Sequence, residues 1–195
     1  MHIDFCFCED LSKWVKKAEL HMEKVASREE LLNAIEKDAH DFEYKYRGCS
    51  RSCLWSLQDH FSIGDEKTLK ASTPLAAGIA FKGEVCGALV GGIMAVGLVT
   101  ASENPEDQKA LAKTLGAGYK LYGRFLKEYG TANCFEIQKM KLGKSYNLAD
   151  PQEYEDFQKA GGYVECSKVV GKAARLAAEM IMELKEKAEE KTLKK

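Results

Sequence analysis

Alternation of apolar and polar residues with a period of two is missing from this sequence, and so are internal repeats and low-complexity tracts. Without such alternation, no segment is predicted to form a β-strand. Only three of the 195 residues are proline and 45% are hydrophobic, which is ordinary globular composition with enough apolar residues for a core. We therefore expect an all-α fold, a helical bundle.

The sequence also lacks an excess of positive charge. Lysine and arginine number 29 and aspartate and glutamate 30, so the formal net charge is -1. Because no basic field is present, neither nucleic acid nor an anionic membrane surface is expected as a partner. The first residues, MHIDFCFCEDL, contain no basic segment followed by a long apolar run, so no secretory signal is expected. We expect a cytoplasmic protein.

A run long enough to cross a membrane is missing too. The stretch from Val85 to Val99 is apolar or glycine throughout, but a membrane-spanning helix needs about 20 apolar residues. Membrane insertion is therefore not expected. The wider segment from Gly83 to Thr100 reads GEVCGALVGGIMAVGLVT, and we predict a glycine-rich central helix that is buried on most sides.

Two glycines of that helix, Gly87 and Gly91, lie four residues apart and therefore on one face. A glycine inside a helix costs about 1 kcal/mol relative to alanine, so we expect another group to come close to the backbone there. Close packing of a second helix is the more common reason for such a spacing. The other reason is an inorganic cluster held by Cys86, which makes Gly87 and Gly91 candidate cofactor-binding residues.

Two charged helices are predicted before Gly48. The first spans 11–25, and the second begins at the capping box of Ser27–Glu30 and continues to Tyr46. We expect them to form an N-terminal helical hairpin, within an extension that covers residues 1–46.

Residues 47–187 are predicted to form one helical domain, followed by a frayed lysine-rich tail at 188–195. Its helices are expected to begin near Cys49, Val85, the segment 102–105, Cys134 and Val164. The helix after Pro105 displays leucines and tyrosines at helical spacing, namely Leu111, Leu115, Tyr119, Tyr122, Leu126 and Tyr129. Together with the glycine-faced central helix, the tyrosines offer a packing surface, and we expect a homodimer.

Cysteine is abundant, with seven residues, but its familiar spacings are missing. The cytoplasm keeps thiols reduced, so structural disulfides are not expected, and metal binding or redox chemistry is the leading explanation. There is no Cys-x-x-Cys pair, and wide gaps separate Cys49, Cys86, Cys134 and Cys166. These gaps differ from those of zinc fingers and ribbons and from the clustered runs of ferredoxins. Only a folded helical domain, or a dimer of one, would bring such thiols together.

The four widely spaced cysteines share a local setting. Each follows a glycine within five residues and lies in or near the predicted first turn of a helix. Free backbone N–H groups and the helix dipole favour negative charge there, and a thiolate is the form that binds metal. Cys49, Cys86, Cys134 and Cys166 are therefore candidate metal ligands. The alternative is that they are buried, inert cysteines that act as small hydrophobic residues.

The segment from Cys86 to Gly91, with one cysteine upstream and two downstream, resembles the redox-active family named for its C…CGAxxG…C…C pattern. GTANC at Cys134 and ECSKVV at Cys166 complete the match, which covers roughly residues 45–185. The resemblance implies a helical domain described as redox-active. That family is similar to split-Soret cytochromes c, helical dimers that carry haem and an iron–sulfur cluster. This chain has no Cys-x-x-Cys-His site, so covalent haem is not expected.

The resemblance leads to a first hypothesis, an electron-transfer or redox-sensing protein whose four cysteines bind an iron–sulfur cluster. Its redox partner protein is not identified by the sequence, and no catalytic residue is assigned. A second hypothesis is a metal-free thiol–disulfide oxidoreductase that pairs Cys86 with Cys134 or Cys49 with Cys53. A third is a helical interaction module with structural cysteines. Cys6 and Cys8 are interpreted as incidental thiols of the terminal segment.

Overall fold

The computed structural model describes the backbone of residues 11–193 and the side chains of residues 27–193, so Cys6 and Cys8 lie outside the described residues. The described chain forms eight right-handed α-helices and no strand, which confirms the all-α prediction. The helices are α1 (Leu11–Tyr46), α2 (Cys49–Phe61), α3 (Glu66–Ser72), α4 (Gly87–Thr100), α5 (Gln108–Tyr129), α6 (Cys134–Leu142), α7 (Pro151–Lys159) and α8 (Gly162–Leu193).

The predicted N-terminal hairpin is wrong, because α1 is one continuous helix. The capping-box residues Ser27–Glu30 lie inside it and start no new element. The sequence between Leu11 and Tyr46 contains neither glycine nor proline, so no residue interrupts the backbone hydrogen bonds. α1 packs along α8 and α2, and its described buried face includes Leu32, Ile35 and Ala39.

The glycine-rich helix α4 occupies the centre, in contact with α2, α5 and α8. Leu89, Ala95 and Val96 on this helix are almost completely buried. Gly91 faces α2, where a Cβ atom would overlap the carbonyl oxygen of Ser50. The close approach predicted at Gly91 is therefore the packing of α2 against α4.

Two helix boundaries differ from the predictions. α5 begins at Gln108, after the predicted start at 102–105, and the Asp107 carboxylate caps it by accepting from the Ala110 N–H (2.9 Å). Upstream, Ser102 and Asn104 use their side chains in local turns, which compete with helix formation. α8 continues to Leu193, so residues 188–193 of the predicted frayed tail are helical and exposed.

The face that α5 turns toward the core consists of Ala117, Leu121 and Phe125. Leu115 and Tyr119 remain exposed on the same helix, with 64% and 83% of their surfaces accessible. Among the described helices, none has both the length and the apolar character that a membrane span requires.

Candidate functional site

One cavity of about 580 Å³ lies where α1, α2, α6, α7, α8 and the segment before α4 meet. Most of its lining is apolar. Its wall includes four of the described cysteines, namely Cys49, Cys86, Cys134 and Cys166. Four residues that are far apart in sequence are therefore brought to one cavity by the fold. Their role as metal ligands stays a prediction.

Backbone hydrogen bonds hold the segments of Cys86 and Cys134 side by side. The N–H of Cys86 donates to the carbonyl of Ala132 (2.8 Å), and the N–H of Cys134 donates to the carbonyl of Glu84 (2.6 Å). This pairing forms an isolated antiparallel bridge between Val85 and Asn133. It places two cysteines from distant parts of the chain on neighbouring backbone segments at the cavity wall.

The other two cysteines come from helices α2 and α8. Cys49 is the first residue of α2 and follows Gly48, whose φ of 98° is in the left-handed region that favours glycine. Cys166 lies in the second turn of α8, because this helix begins at Gly162, before the predicted start near Val164. Three of the four cysteines are therefore at helix starts, and Cys166 is not.

A left-handed turn at residues 77–81 forms another part of the cavity wall. All five residues have positive φ values, including Ile79 at 63° and Phe81 at 67°. Such a backbone costs roughly 1–2 kcal/mol per residue for residues other than glycine. Four backbone hydrogen bonds hold it, including those from the Ala80 N–H to the Pro74 carbonyl (2.9 Å) and from the Glu84 N–H to the Gly78 carbonyl (3.0 Å).

Two short elements precede this turn in the chain. The structure has α3, a 3₁₀ turn at Thr73–Leu75, and then the left-handed turn. Ala77 and Phe81 face the cavity, and Phe81 is 49% exposed. Strained backbone of this kind is concentrated at functional sites, because only a specific surrounding structure maintains it.

The two candidate cofactor-binding glycines lie behind this wall, and neither lines the cavity. A Cβ atom on Gly87 would lie 2.5 Å from the Cys49 sulfur and 2.9 Å from the Leu75 carbonyl oxygen. Gly87 therefore lets Cys49 and the chain before the left-handed turn approach α4. Gly91 has the same effect for α2. A direct contact of either glycine with a cofactor stays a prediction.

Cys53 is separate from the other cysteines. Its side chain is fully buried in the core, and it does not line the cavity. Although it lies one turn after Cys49 on α2, it makes no part of the cavity wall. This position indicates that Cys53 packs in the hydrophobic core.

The N–H groups at helix starts, which we predicted to favour thiolates, act in that direction on Cys86 but do not decide the pKa of the cavity cysteines in the protein alone. Burial raises the pKa of Cys86 to about 12, although the N–H groups of Ala88 and Leu89 lower it. Burial likewise raises the pKa of Cys134 to about 12, against a hydrogen bond from Gln138. Because loss of hydration outweighs the favourable backbone groups, these thiols stay protonated near neutral pH.

Sequence reasoning missed one cavity residue, Glu43 of α1. Its side chain is only 3% exposed, and the carboxylate oxygen Oε2 has no hydrogen-bond partner. Burial raises its pKa to about 7, against a hydrogen bond from Ser52 and the charges of Arg47 and Arg51. The signal was its spacing, because Glu43 continues the apolar stripe of Leu32, Ile35 and Ala39 at helical intervals. Because α1 carries many charged residues, Glu43 was not distinguished from the exposed ones.

This raised pKa predicts the pH dependence of the metal-free protein. A carboxyl whose folded-state pKa lies above its unfolded value is more stable folded at low pH, and that advantage is lost as pH rises. The difference between about 7 and 4.5 corresponds to a loss on the order of 3 kcal/mol in unfolding free energy between pH 4.5 and pH 8. Urea unfolding across that range should show this fall, and Glu43→Gln should remove most of it. Equal pH slopes for the wild type and the variant would contradict the assignment.

Among residues 27–193, no three His, Cys, Asp or Glu side chains lie close enough together to hold a single metal ion. An iron–sulfur cluster makes a different demand, because its cysteines bind separate iron atoms and are therefore spread more widely. The cavity wall includes four cysteines and the buried carboxylate of Glu43.

Comparison with known proteins gives the family. Residues 47–180 match the family described as "Putative redox-active protein (C_GCAxxG_C_C)". The chain belongs to this family. The match includes all four cavity cysteines and covers more than half of the chain. Neither the curated proteins nor the solved structures gave a match. The family match and the cavity thus involve the same four cysteines.

Proposed function

We propose that the cavity binds an iron–sulfur cluster through Cys49, Cys86, Cys134 and Cys166, and that the protein transfers electrons or senses redox state. The observation that carries this proposal is the convergence of four sequence-distant cysteines on one mostly apolar cavity. Cysteine sulfur is the usual ligand of such clusters, and four cysteines complete the ordinary set. The family's redox description supports the same class of function.

The donor set fits this group for a second reason. The thiols are protonated in the protein alone, because burial raises the pKa of each one. Buried neutral thiols are poor nucleophiles, but a bound metal deprotonates its sulfur ligands outright. Burial that would disable a free redox thiol is therefore compatible with a metal centre. A bound cluster would supply one-electron chemistry at this position.

The protein's own groups would tune such a centre. Backbone N–H groups of Ala88 and Leu89 donate toward the Cys86 sulfur, and the Gln138 side chain donates to the Cys134 sulfur (3.6 Å). Hydrogen bonds to ligand sulfurs and exclusion of solvent are the main ways in which proteins set a cluster's potential. The apolar wall would limit the access of water to the sulfurs.

The test is purification of the protein without oxygen, followed by iron and sulfide analysis and visible absorbance. We expect iron and acid-labile sulfide in matching amounts, and a broad visible absorption that bleaches on reduction. Protein that remains colourless and free of iron after reconstitution with iron and sulfide would refute the proposal.

A thiol–disulfide oxidoreductase remains the second candidate, and one observation favours it. The backbone pairing of Val85 with Asn133 brings the Cys86 and Cys134 segments together. The raised pKa of both thiols opposes it, because exchange requires a thiolate. We therefore expect mass spectrometry after mild oxidation of the metal-free protein to find no defined, reversible pair. A stoichiometric Cys86–Cys134 disulfide that thioredoxin or dithiothreitol reduces would favour this candidate.

The partner and the location stay predictions. Reduced thiols fit a reducing compartment such as the cytoplasm, and an electron carrier requires a partner protein. The exposed residues Leu115 and Tyr119 on α5 offer the surface expected of a homodimer. Sedimentation of the wild type and of Leu115→Glu tests this, since a dimer through this face should dissociate in the variant.

A further inference from the structure

Glu43 is a buried, charged residue of the cavity wall to which the proposed function assigns no role. It reaches the cavity from α1, while the four cysteines come from α2, α8 and the segments that precede α4 and begin α6. A carboxylate in an apolar wall loses its hydration, and such a group is stabilised when it is paired, coordinated or protonated. The surroundings of Glu43 therefore indicate what it binds.

Only part of this carboxylate has a partner within the protein. A hydrogen bond from Ser52 and one from the backbone N–H of Gly48 reach the group. The oxygen Oε2 has no hydrogen-bond partner among the described residues. One oxygen is thus held by α2 and its preceding residue, which fixes the side chain and leaves the second oxygen available.

Neighbouring positive charge does not complete the pairing. Arg47 and Arg51 are near enough to favour the ionised carboxyl. Among the ion pairs of the described side chains, however, none involves Glu43. A carboxylate with a purely structural role in this position would be expected to use both oxygens, since each buried acceptor without a partner destabilises the fold.

We propose that Glu43 is a fifth protein donor to the group bound in the cavity, with Oε2 as the one oxygen atom among four cysteine sulfurs. This inference rests on the proposed function. Iron binds carboxylate oxygen as well as thiolate sulfur, so Glu43 would add an oxygen donor to the ordinary set of four cysteines. Binding would also remove the unpartnered acceptor, which explains why a carboxylate is present in an apolar wall.

The test compares the wild type with Glu43→Gln and with Glu106→Gln, an exposed carboxylate distant from the cavity. Each protein is reconstituted with iron(II) and sulfide under anaerobic conditions. Bound iron, the rate of iron release to a chelator and the Mössbauer spectrum are measured. The melting temperature of each metal-free protein is measured at pH 8.

For Glu43→Gln we expect iron release at least tenfold faster than in the wild type, a changed Mössbauer spectrum for at least one iron, and a higher melting temperature without metal. Glu106→Gln should match the wild type in all three. Wild-type iron release and spectrum in Glu43→Gln would overturn the inference while leaving the proposed function intact. A lower melting temperature of the metal-free variant would assign Glu43 a structural role and overturn it as well. A wild type that binds no iron would overturn both.

Discussion

Replacing Cys86 by alanine should remove most of the iron from the reconstituted protein, whereas replacing Cys53 by alanine should leave it bound. Cys86 lines the cavity at the start of α4, and its sulfur is a required ligand in the proposed centre. The side chain of Cys53 is also buried, but it lies outside the cavity wall. We expect at least a fivefold loss of iron in Cys86→Ala and no significant loss in Cys53→Ala.

The pair of variants separates binding from stability. Removing one buried sulfur leaves a small void in either protein, at a cost of about 1 kcal/mol in unfolding free energy. Both variants should therefore unfold at similar urea concentrations when metal is absent. Iron and sulfide per protein, measured on matched preparations, decide the prediction. Equal iron in both variants would show that Cys86 is core packing like Cys53.

Replacing Gly91 by alanine is expected to destabilise the protein by about 3 kcal/mol or more. The new Cβ atom would overlap the carbonyl oxygen of Ser50 and lie 3.2 Å from the Cys53 Cβ. The first of these is backbone of α2, which cannot move aside as a flexible side chain does. α2 and α4 must then separate, and Cys49 moves away from the cavity together with α2.

Gly97 is the matched control on the same helix. No atom lies within 4 Å of the position that its Cβ would occupy. Gly97→Ala should therefore stabilise the protein by up to about 1 kcal/mol, through the better helix propensity of alanine. Urea unfolding of the two metal-free variants checks the pair. A Gly91→Ala protein as stable as Gly97→Ala would contradict the close packing of α2 against α4.

The sequence was sufficient to predict the all-α class and the buried glycine-rich helix, and it singled out the four cysteines of the cavity, because these signals are local. Glycine before a cysteine marks helix starts at Cys49 and Cys134, and the apolar run after Cys86 marks the buried helix. The pairing of 84–86 with 132–134 has no local signal, since it depends on tertiary contacts between distant segments. Predicting that the thiols meet therefore required the family pattern as well.

The features that sequence reasoning could not predict depend on tertiary structure or on unfavourable local choices. The pKa of Cys86 is set mainly by burial, so its direction could not be found from the helix start alone. Ile79 has no preference for a positive φ, so its left-handed backbone is imposed by surrounding hydrogen bonds. Glu43 carries a charged side chain, which the sequence would place at the surface, but the fold buries it.

The proposed function requires that the four cavity sulfurs hold one iron-containing group. Anomalous diffraction at the iron absorption edge, from crystals of anaerobically reconstituted protein, tests it most directly. We predict a single compact group of iron peaks inside the cavity, within bonding distance of the sulfurs of Cys49, Cys86, Cys134 and Cys166. Iron peaks located elsewhere, or well-ordered cavity sulfurs with no iron between them, would contradict the account.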